Sequence, residues 1–311
     1  MTSRTETLAS DIPKGGWVDR VLPAAARPYA RLARLDRPIG TWLLLFPCWW
    51  GVALATPGWP SLWLIAVFAL GAIVMRGAGC TYNDIVDRDF DGKVARTADR
   101  PIPSGAVSVR QAVVFLLAQL LIGFAILLTF NRPTIWLGVL SLATVFIYPL
   151  MKRVTWWPQF FLGLAFNWGA WMGYSAVAGG LAQPIDLLSA ALLYVAGILW
   201  TLGYDTIYAH QDKEDDALIG VKSSARRLGQ HTRPALAFFY AGAILLLAAA
   251  GYAANLGWPF TLFLIAGTAQ LAWQARRVDT DNAADCLAKF HSNRLFGWLV
   301  LAGIVAGQLV H

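Results

Sequence analysis

Nine apolar runs, each long enough to cross a bilayer as a helix, constrain the fold of this chain more than any other feature. A helix needs roughly 20 mostly apolar residues to span the hydrocarbon core, where each backbone group has to be hydrogen-bonded within the segment. The runs fall at 38–56, 61–83, 109–129, 134–151, 157–178, 186–206, 234–254, 258–275 and 293–310. The sequence therefore predicts an all-α, polytopic membrane protein with nine transmembrane helices.

Positive charge is distributed unevenly among the segments that join these runs. Seven Lys or Arg residues precede the first run, and others follow the second, fourth, sixth and eighth. The intervening turns contain one basic residue in all, Arg132. The positive-inside rule then predicts a cytoplasmic N-terminus and an external C-terminus. The membrane itself is expected to be a bacterial inner membrane or, for an organellar protein, the mitochondrial one. This topology and attraction to anionic lipid explain the net charge of +7, so no nucleic-acid partner is predicted.

The domain organisation follows from the same pattern. Residues 38–311 are predicted to form a single membrane domain, and residues 1–37 a cytoplasmic segment. Within that segment, residues 17–37 mix apolar side chains with spaced arginines, which favours an amphipathic helix on the inner leaflet. The three cysteines have no spacing typical of a disulfide framework or a zinc site.

Two acid-rich segments lie at corresponding places in this apolar sequence, each after a long apolar run. Ten of the 18 acidic residues fall in these segments, at 84–99 and 205–216. Each segment contains two aspartates four residues apart, Asp87 with Asp91 and Asp212 with Asp216. Two such pairs at one end of a helix bundle form a cage for divalent cations that hold a diphosphate. The correspondence also indicates a weak internal repeat, which transporters and enzymes both contain.

Helical geometry adds a deeper charged group below each pair. At 100° per residue, one stripe lies within about 80° of arc on the second span and its extension, if the helix continues that far. Its members are Arg76, Asn83, Asp87 and Asp91. A second stripe, within about 40° on the sixth span and its extension, consists of Asp205, Asp212 and Asp216. The pattern predicts a pocket that opens at the inner surface and extends into the bundle.

Other interpretations of these residues stay open at this point. Either acid segment alone fits a solvated loop, and Arg76 and Asp205 alone fit a structural hydrogen bond or ion pair within the membrane. An ion-coupled transporter would use the aspartates as cation sites between repeats. That alternative explains poorly why the carboxylates cluster beside many Lys and Arg residues, because these repel a coupling cation and attract a diphosphate.

Both acid segments belong to longer sequence patterns. The first segment has the pattern N-D-x-x-D-x-x-x-D, and the second Y-D-x-x-Y-A-x-x-D-x-x-D-D-x-x-x-G-x-K-S. The stretches that carry these patterns and their surroundings are Arg34–Gly40, Gly79–Asp91, Arg96–Gly105, Tyr148–Trp156, Tyr204–Ala209, Asp212–Gly220 and Lys222–Ser223. In content and order they resemble the UbiA family of intramembrane aromatic prenyltransferases, and nine helices match the fold of that family.

The resemblance implies a reaction and two substrates. A polyprenyl group would pass from a polyprenyl diphosphate to the ring carbon ortho to the hydroxyl of 4-hydroxybenzoate, as in ubiquinone biosynthesis. A relative that uses another aromatic acceptor is the alternative within the family. Because the polyprenyl chain is insoluble in water, it would lie in membrane lipid while its head meets metal at the inner surface.

The resemblance also implies site residues and a metal, Mg²⁺, for which Mn²⁺ can substitute. Mg²⁺ prefers oxygen ligands and is typically held by one or two carboxylates and substrate phosphates. The implied metal ligands are Asp84, Asp87, Asp91, Asp212 and Asp216. The implied catalytic residues are Asp205, near the acceptor's phenol, and Arg88, at the diphosphate. The implied substrate contacts are Arg76, Asn83, Arg96, Lys152, Arg153, Tyr208 and Lys222.

Overall fold

A computed structural model describes residues 10, 12–13, 15–93, 97–180, 184–218 and 220–310. Within these ranges the regular structure is helical. The helices are α1 (Trp17–Val21), α2 (Arg27–Leu32), α3 (Ile39–Ala55), α4 (Leu62–Asp91), α5 (Val109–Leu127), α6 (Arg132–Val154), α7 (Pro158–Asn167), α8 (Gly169–Ala178), α9 (Pro184–Ala209), α10 (Lys213–Leu218), α11 (Ser224–Leu228), α12 (Thr232–Ala253), α13 (Pro259–Arg277) and α14 (Ala283–Leu309). Short 3-10 helices follow α9, at His210–Asp212, and α11, at Gly229–His231.

The predicted apolar runs coincide with helices, and the all-α membrane fold is confirmed. Each run contains helix, and the fifth is divided between α7 and α8 at Trp168. Among the described residues, five helical segments are long and apolar enough to cross a membrane. These are Leu62–Asp91, Val109–Leu127, Arg132–Val154, Leu187–Asp212 and Ser224–Ala253. The number of nine crossings stays a prediction.

The N-terminal segment forms two short helices, α1 and α2, where the sequence predicted one amphipathic helix over 17–37. Pro23 is the physical reason, since a proline forces the preceding residue into extended backbone and lacks the N–H that a helix needs. Leu22 accordingly has φ −88° and ψ 143°. The indole N–H of Trp17 donates to the backbone oxygen of Leu35 at 3.2 Å, so the segment folds back on itself.

The chain divides into two compact units. The first combines the N-terminal residues up to Gly40 with Ile73–Ala125, and the second combines Thr41–Ala72 with the residues from Ile126 onward. The predicted domain boundary between residues 37 and 38 stays a prediction.

In the first unit, α2 and the ends of α4 and α5 pack around a small apolar core. Its buried members are Leu32, Ile102, Val107 and Ala112, with Tyr29, Ile85 and Phe115 packed against them. At Gly77 of α4 a Cβ atom would lie 2.5 Å from Nε2 of Gln119, so a side chain there would collide with α5. The Thr81 hydroxyl lies 2.9 Å from the Gly77 oxygen and 3.1 Å from Gln119 Oε1. These contacts fix the rotation of α4 and therefore which of its acidic residues face inward.

In the second unit, α9 packs against α7, α12 and α14. Helices α3 and α8 approach each other through glycines: a Cβ at Gly51 would lie 2.3 Å from a backbone oxygen of α8, and one at Gly173 would lie 2.1 Å from the oxygen of Cys48. Small residues permit such contact between backbones inside a membrane. The indole N–H of Trp200 donates to Asn293 Oδ1 at 2.8 Å and joins α9 to α14.

Candidate active site

The first acid segment is the last part of α4, which stays helical to Asp91. Spacings of three and four residues return to one helix face, and all three carboxylates on that face are turned inward. Asp84, Asp87 and Asp91 are 0%, 1% and 7% exposed, respectively. The expectation that this helix, α4, extends beyond the apolar run is confirmed. The solvated-loop alternative is wrong for these three residues, because their side chains are buried.

Two arginines that the sequence reasoning did not assign to the site accompany these carboxylates. Arg34 Nη2 donates to Asp84 Oδ1 at 2.7 Å, and Arg100 Nη1 donates to Asp91 Oδ2 at 2.8 Å. The same Arg100 nitrogen lies 3.4 Å from Asp84 Oδ1. Buried carboxylates need such charged partners, since an unpaired charge in the interior is costly. The available signal in the sequence is their place in two stretches of family resemblance, whereas their positive charge by itself indicates only topology.

Arg88 lies elsewhere on α4. Its side chain is 44% exposed, donates to the Ile85 oxygen at 3.0 Å and lies 3.6 Å from Asp89. The structure therefore puts Arg88 on the solvent side, away from the buried carboxylate face, and its predicted catalytic role stays a prediction. Arg96, a predicted substrate contact, lies outside the described residues.

Two further residues of the predicted stripe, Arg76 and Asn83, are half-buried on α4. The guanidinium of Arg76 packs over Gly40 at the start of α3, where a Cβ atom would lie 2.5 Å from Arg76 Nε. A glycine at this position leaves the room that the guanidinium occupies. Arg76 thus packs against the start of α3, and its predicted place in the substrate pocket stays a prediction.

The second acid segment differs from its prediction. Helix α9 ends at Ala209, the 3-10 turn follows, and α10 begins at Lys213. A 3-10 turn has three residues per turn, so the straight helix assumed from Asp205 to Asp216 is wrong, and the predicted 40° arc does not apply. Asp205, Asp212 and Asp216 are each half-buried.

Tertiary contacts around the turn give the physical reason for this break. The His210 ring is buried, with Nε2 3.0 Å from the Thr232 hydroxyl on α12. Lys213 Nζ donates to the oxygen of Thr280 at 3.3 Å and pairs with Asp281, both in the loop that joins α13 to α14. The hydrogen bond from Lys213 lowers the pKa of the exposed Asp281 carboxyl. These contacts hold the segment against α12 and the loop, and periodicity along the chain does not reveal them.

Three predicted basic contacts lie together in the second unit, near the end of α6. The N–H of Lys222 donates to the oxygen of Lys152 at 3.0 Å, and its Nζ donates to the oxygen of Val154 at 3.1 Å. Lys152 is half-buried and Arg153 is exposed. A cation at a helix C-terminus is favourable because of the helix dipole. The guanidinium of Arg226, which was not predicted, lies 5.3 Å from the ring centroid of Trp156 beside this group.

The predicted acceptor residues of the second unit lie on the last two turns of α9. The ring of Tyr208 lies 4.6 Å from that of Phe290, and the buried Tyr204 ring lies 5.0 Å from Trp200. The Thr201 hydroxyl donates to the Tyr204 hydroxyl at 3.1 Å. Asp205 is therefore a half-buried carboxylate on a helix that aromatic packing holds in place.

The carboxylates in each unit fit a metal ion that arrives with an anionic substrate. Among the described residues, no group of three acidic, His or Cys side chains forms a complete metal cage. In the same part of the chain, the buried Asp84 Oδ2 atom accepts no hydrogen bond, so it can receive a further N–H donor. Mg²⁺ commonly takes one or two carboxylates and completes its coordination with water and phosphate oxygens. The donor set is therefore suitable for Mg²⁺ bound together with a diphosphate.

Comparisons with known proteins identify the family of this chain. The model of the UbiA prenyltransferase family matches residues 44–302. The mitochondrial 4-hydroxybenzoate polyprenyltransferase of Arabidopsis thaliana is 50% identical over 299 residues, which cover 96% of this chain and 72% of that protein. The apo structure of a UbiA homologue from Aeropyrum pernix K1 is similar with a TM-score of 0.70 and 28% identity, over 86% of this chain and 96% of that one. A homologue from Archaeoglobus fulgidus, bound to GPP and Mg²⁺, shares the fold with a TM-score of 0.60 and 19% identity, over 89% and 99% of the two chains.

Proposed function

The chain belongs to the UbiA prenyltransferase family, and we propose that it prenylates 4-hydroxybenzoate. The C–O bond between the polyprenyl group and diphosphate breaks, a C–C bond forms at the ring carbon ortho to the hydroxyl, and that carbon loses a proton. The products are 3-polyprenyl-4-hydroxybenzoate and diphosphate, an intermediate and by-product of ubiquinone biosynthesis. The observation that carries the proposal is 50% identity, over nearly the whole chain, to a relative with this named activity.

Mg²⁺ is the proposed metal, and Mn²⁺ substitutes for it. Asp87 and Asp91 in the first segment, and Asp212 and Asp216 in the second, would hold the metal ions together with oxygens of the diphosphate. The burial of the first pair and the oxygen-only donor set support this assignment. When bound, the metal neutralises negative charge that develops on the leaving diphosphate.

Basic side chains stabilise the same leaving group. Lys152, Arg153 and Lys222 contribute positive charge near the end of α6, where the two contacts of Lys222 with this turn support a shared role. Preorganised positive charge of this kind stabilises a developing anion without reorganisation during the reaction. Arg88 and Arg96 remain proposed contacts of the diphosphate on the basis of family resemblance.

The aromatic acceptor binds near Asp205, Tyr208 and Asn83, and Arg76 supports the polar network of the pocket. The Asp205 carboxylate accepts the hydrogen bond of the acceptor's phenol. This contact raises the electron density of the ring and gives the departing proton a route. Its support is the half-buried position of Asp205 on the packed end of α9.

The protein acts in a bacterial inner membrane, or in the mitochondrial inner membrane if it is organellar, with its N-terminus on the cytoplasmic or matrix side. The uneven distribution of basic residues supports this orientation. Both acid segments then face the compartment from which Mg²⁺ can reach the diphosphate head of the membrane-bound substrate.

Product analysis tests the proposal. Detergent-solubilised protein is given Mg²⁺, a radiolabelled polyprenyl diphosphate and, in separate reactions, 4-hydroxybenzoate or another aromatic acid. We expect a labelled product with 4-hydroxybenzoate that disappears when a chelator removes the metal. A preference for another acid would support a relative with a different acceptor. Absence of any product, with cation-coupled uptake in sealed vesicles, would support the transporter instead.

A further inference from the structure

The arginine between Asp84 and Asp91 has two carboxylates within reach of one nitrogen. Arg100 Nη1 lies 2.8 Å from Asp91 Oδ2 and 3.4 Å from Asp84 Oδ1. Only 12% of the Arg100 side chain is exposed, against 10% for Asp91 and 0% for Asp84. A small movement of the guanidinium is therefore enough to exchange one carboxylate for the other.

The two carboxylates are not equivalent, because Asp84 already has a second arginine. Arg34 Nη2 donates to Asp84 Oδ1 at 2.7 Å, while Arg34 Nη1 donates to the oxygen of Arg31 at 2.9 Å. Arg34 itself has φ 57°, a backbone conformation that is uncommon outside glycine and marks a tightly determined position. The Arg34–Asp84 pair is thus held by the fold.

Asp91 is the carboxylate at the open end of the stripe. It lies about two helical turns beyond Asp84, at the end of α4. A guanidinium stays charged throughout the physiological pH range, so a cation that binds Asp91 has to compete with Arg100 for the carboxylate. A divalent metal at Asp91 is such a cation.

We infer that Asp84 is a positioning residue, the counter-ion that receives Arg100 when a divalent cation binds Asp91, and that it is not a metal ligand. This rests on the proposed function, in which Asp91 binds Mg²⁺. In the substrate-free protein Arg100 then competes with the metal for Asp91. Asp84 lowers the free-energy cost of displacing Arg100, because it receives the guanidinium. The positive charge of Arg100 stays in the site beside the metal. This assignment replaces the metal-ligand role that the sequence implied for Asp84.

The test measures Mn²⁺ binding to detergent-solubilised full-length protein without substrates, by the electron paramagnetic resonance signal of free Mn²⁺. Arg100→Gln removes the competitor, and we expect binding roughly ten-fold tighter, which corresponds to about 1.4 kcal/mol. Arg110→Gln is the matched control, since it removes an exposed arginine of the same unit. Unchanged affinity in Arg100→Gln, or an equal gain in Arg110→Gln, would overturn the inference.

A double-mutant cycle separates positioning from ligation by Asp84. Asp84→Asn alone should weaken Mn²⁺ binding, whereas Asp84→Asn combined with Arg100→Gln should bind as tightly as Arg100→Gln alone. A metal ligand at Asp84 would instead weaken binding by the same factor in both backgrounds. If Asp84→Asn fails to fold, the cycle is run with Asp84→Ser, which also removes the carboxylate. Unchanged affinity in Arg100→Gln still overturns the exchange of Arg100.

Asp91→Asn distinguishes failure of this inference from failure of the proposed function. Weaker Mn²⁺ binding in Asp91→Asn, with no gain in Arg100→Gln, would overturn the exchange of Arg100 and leave the metal assignment intact. Unchanged binding in Asp91→Asn would overturn the assignment of Asp91 as a metal ligand, and the inference with it.

Discussion

Single residues in this protein acquire their roles from burial and from charged neighbours. Asp87 and Asp89 are both acidic residues of α4, but Asp87 is 1% exposed, whereas the side chain of Asp89 is 76% exposed. A buried carboxylate is retained at a cost, which is why such groups concentrate at sites that bind cations or substrates. The face of α4 on which an aspartate lies therefore decides whether its replacement should reduce activity.

Removal of a proposed metal ligand should abolish turnover. Asp87→Ala, Asp91→Ala, Asp212→Ala and Asp216→Ala should each reduce prenyl transfer roughly 100-fold or more, since the leaving diphosphate loses its charge stabilisation. Initial rates at saturating Mg²⁺ measure the effect, and thermal unfolding in detergent verifies the fold. Asp89→Ala is the matched control and should retain near-wild-type activity. Near-normal turnover in any two folded ligand variants would disprove the assignment of metal ions to both segments.

Asp205→Asn tests the proposed acceptor site. The amide preserves size and hydrogen bonding but not the charge, so transfer to 4-hydroxybenzoate should fall about 100-fold. Binding of a polyprenyl diphosphate, measured separately by equilibrium binding, should be unchanged. Normal transfer in this variant would show that the reaction does not require a contact between the acceptor's phenol and the Asp205 carboxylate.

At the scale of elements, the two acid segments share a sequence pattern but not a backbone. The first is continuous with α4, whereas the second is interrupted by the turn at His210–Asp212 and tied to the loop after α13. The tie is an exposed ion pair, which contributes little to global stability. Its expected role is to hold Asp212, the residue just before Lys213, in position.

Lys213→Met should therefore raise the Mg²⁺ concentration required for half-maximal activity roughly three-fold, the size expected for loss of an exposed pair. The KM for 4-hydroxybenzoate should change little, and Arg277→Met, at an exposed position of the neighbouring helix, should change neither. Because the pKa of Asp281 is lowered, the pair persists above the ordinary carboxyl pKa and is lost as the pH falls through the lowered value. The rise in the Mg²⁺ requirement should accordingly be constant between roughly pH 6 and 8, because Asp281 stays ionised there. An equal rise in the Mg²⁺ requirement and in the KM for 4-hydroxybenzoate would contradict this prediction.

The crossing of α3 and α8 predicts a stability effect at glycine. Gly173→Ala puts a methyl group 2.1 Å from the oxygen of Cys48, which is backbone and cannot rotate away. The detergent-solubilised variant should have a lower Tm, although alanine normally stabilises a helix relative to glycine by about 0.5–1 kcal/mol. Gly79→Ala on α4 meets no atom within 4 Å and serves as the stability control, with an unchanged or higher Tm. An unchanged Tm in Gly173→Ala would show that the two helices separate at little cost.

At the scale of the whole molecule, an odd number of crossings would put the chain termini on opposite sides of the membrane. Alkaline phosphatase, which is active only outside the cytoplasm, should be active when fused after Val310 and inactive when fused after Val154. Activity at both sites, or at neither, would contradict nine crossings. The accessibility of the same two positions to a membrane-impermeant reagent provides an independent measurement.

Much of the fold, and the identity of the main candidate acids, could be predicted from the sequence alone. Hydrophobic runs determine where helices form in a membrane because lipid leaves the backbone no other hydrogen-bond partner. The spacing of Asp87 and Asp91 predicted a common face because helical periodicity is local. Contacts between residues far apart in the sequence leave no such local pattern. The pairing of Arg34 with Asp84, the sharing of Arg100 and the turn after α9 depend on which helices pack together, and only the tertiary structure decided them.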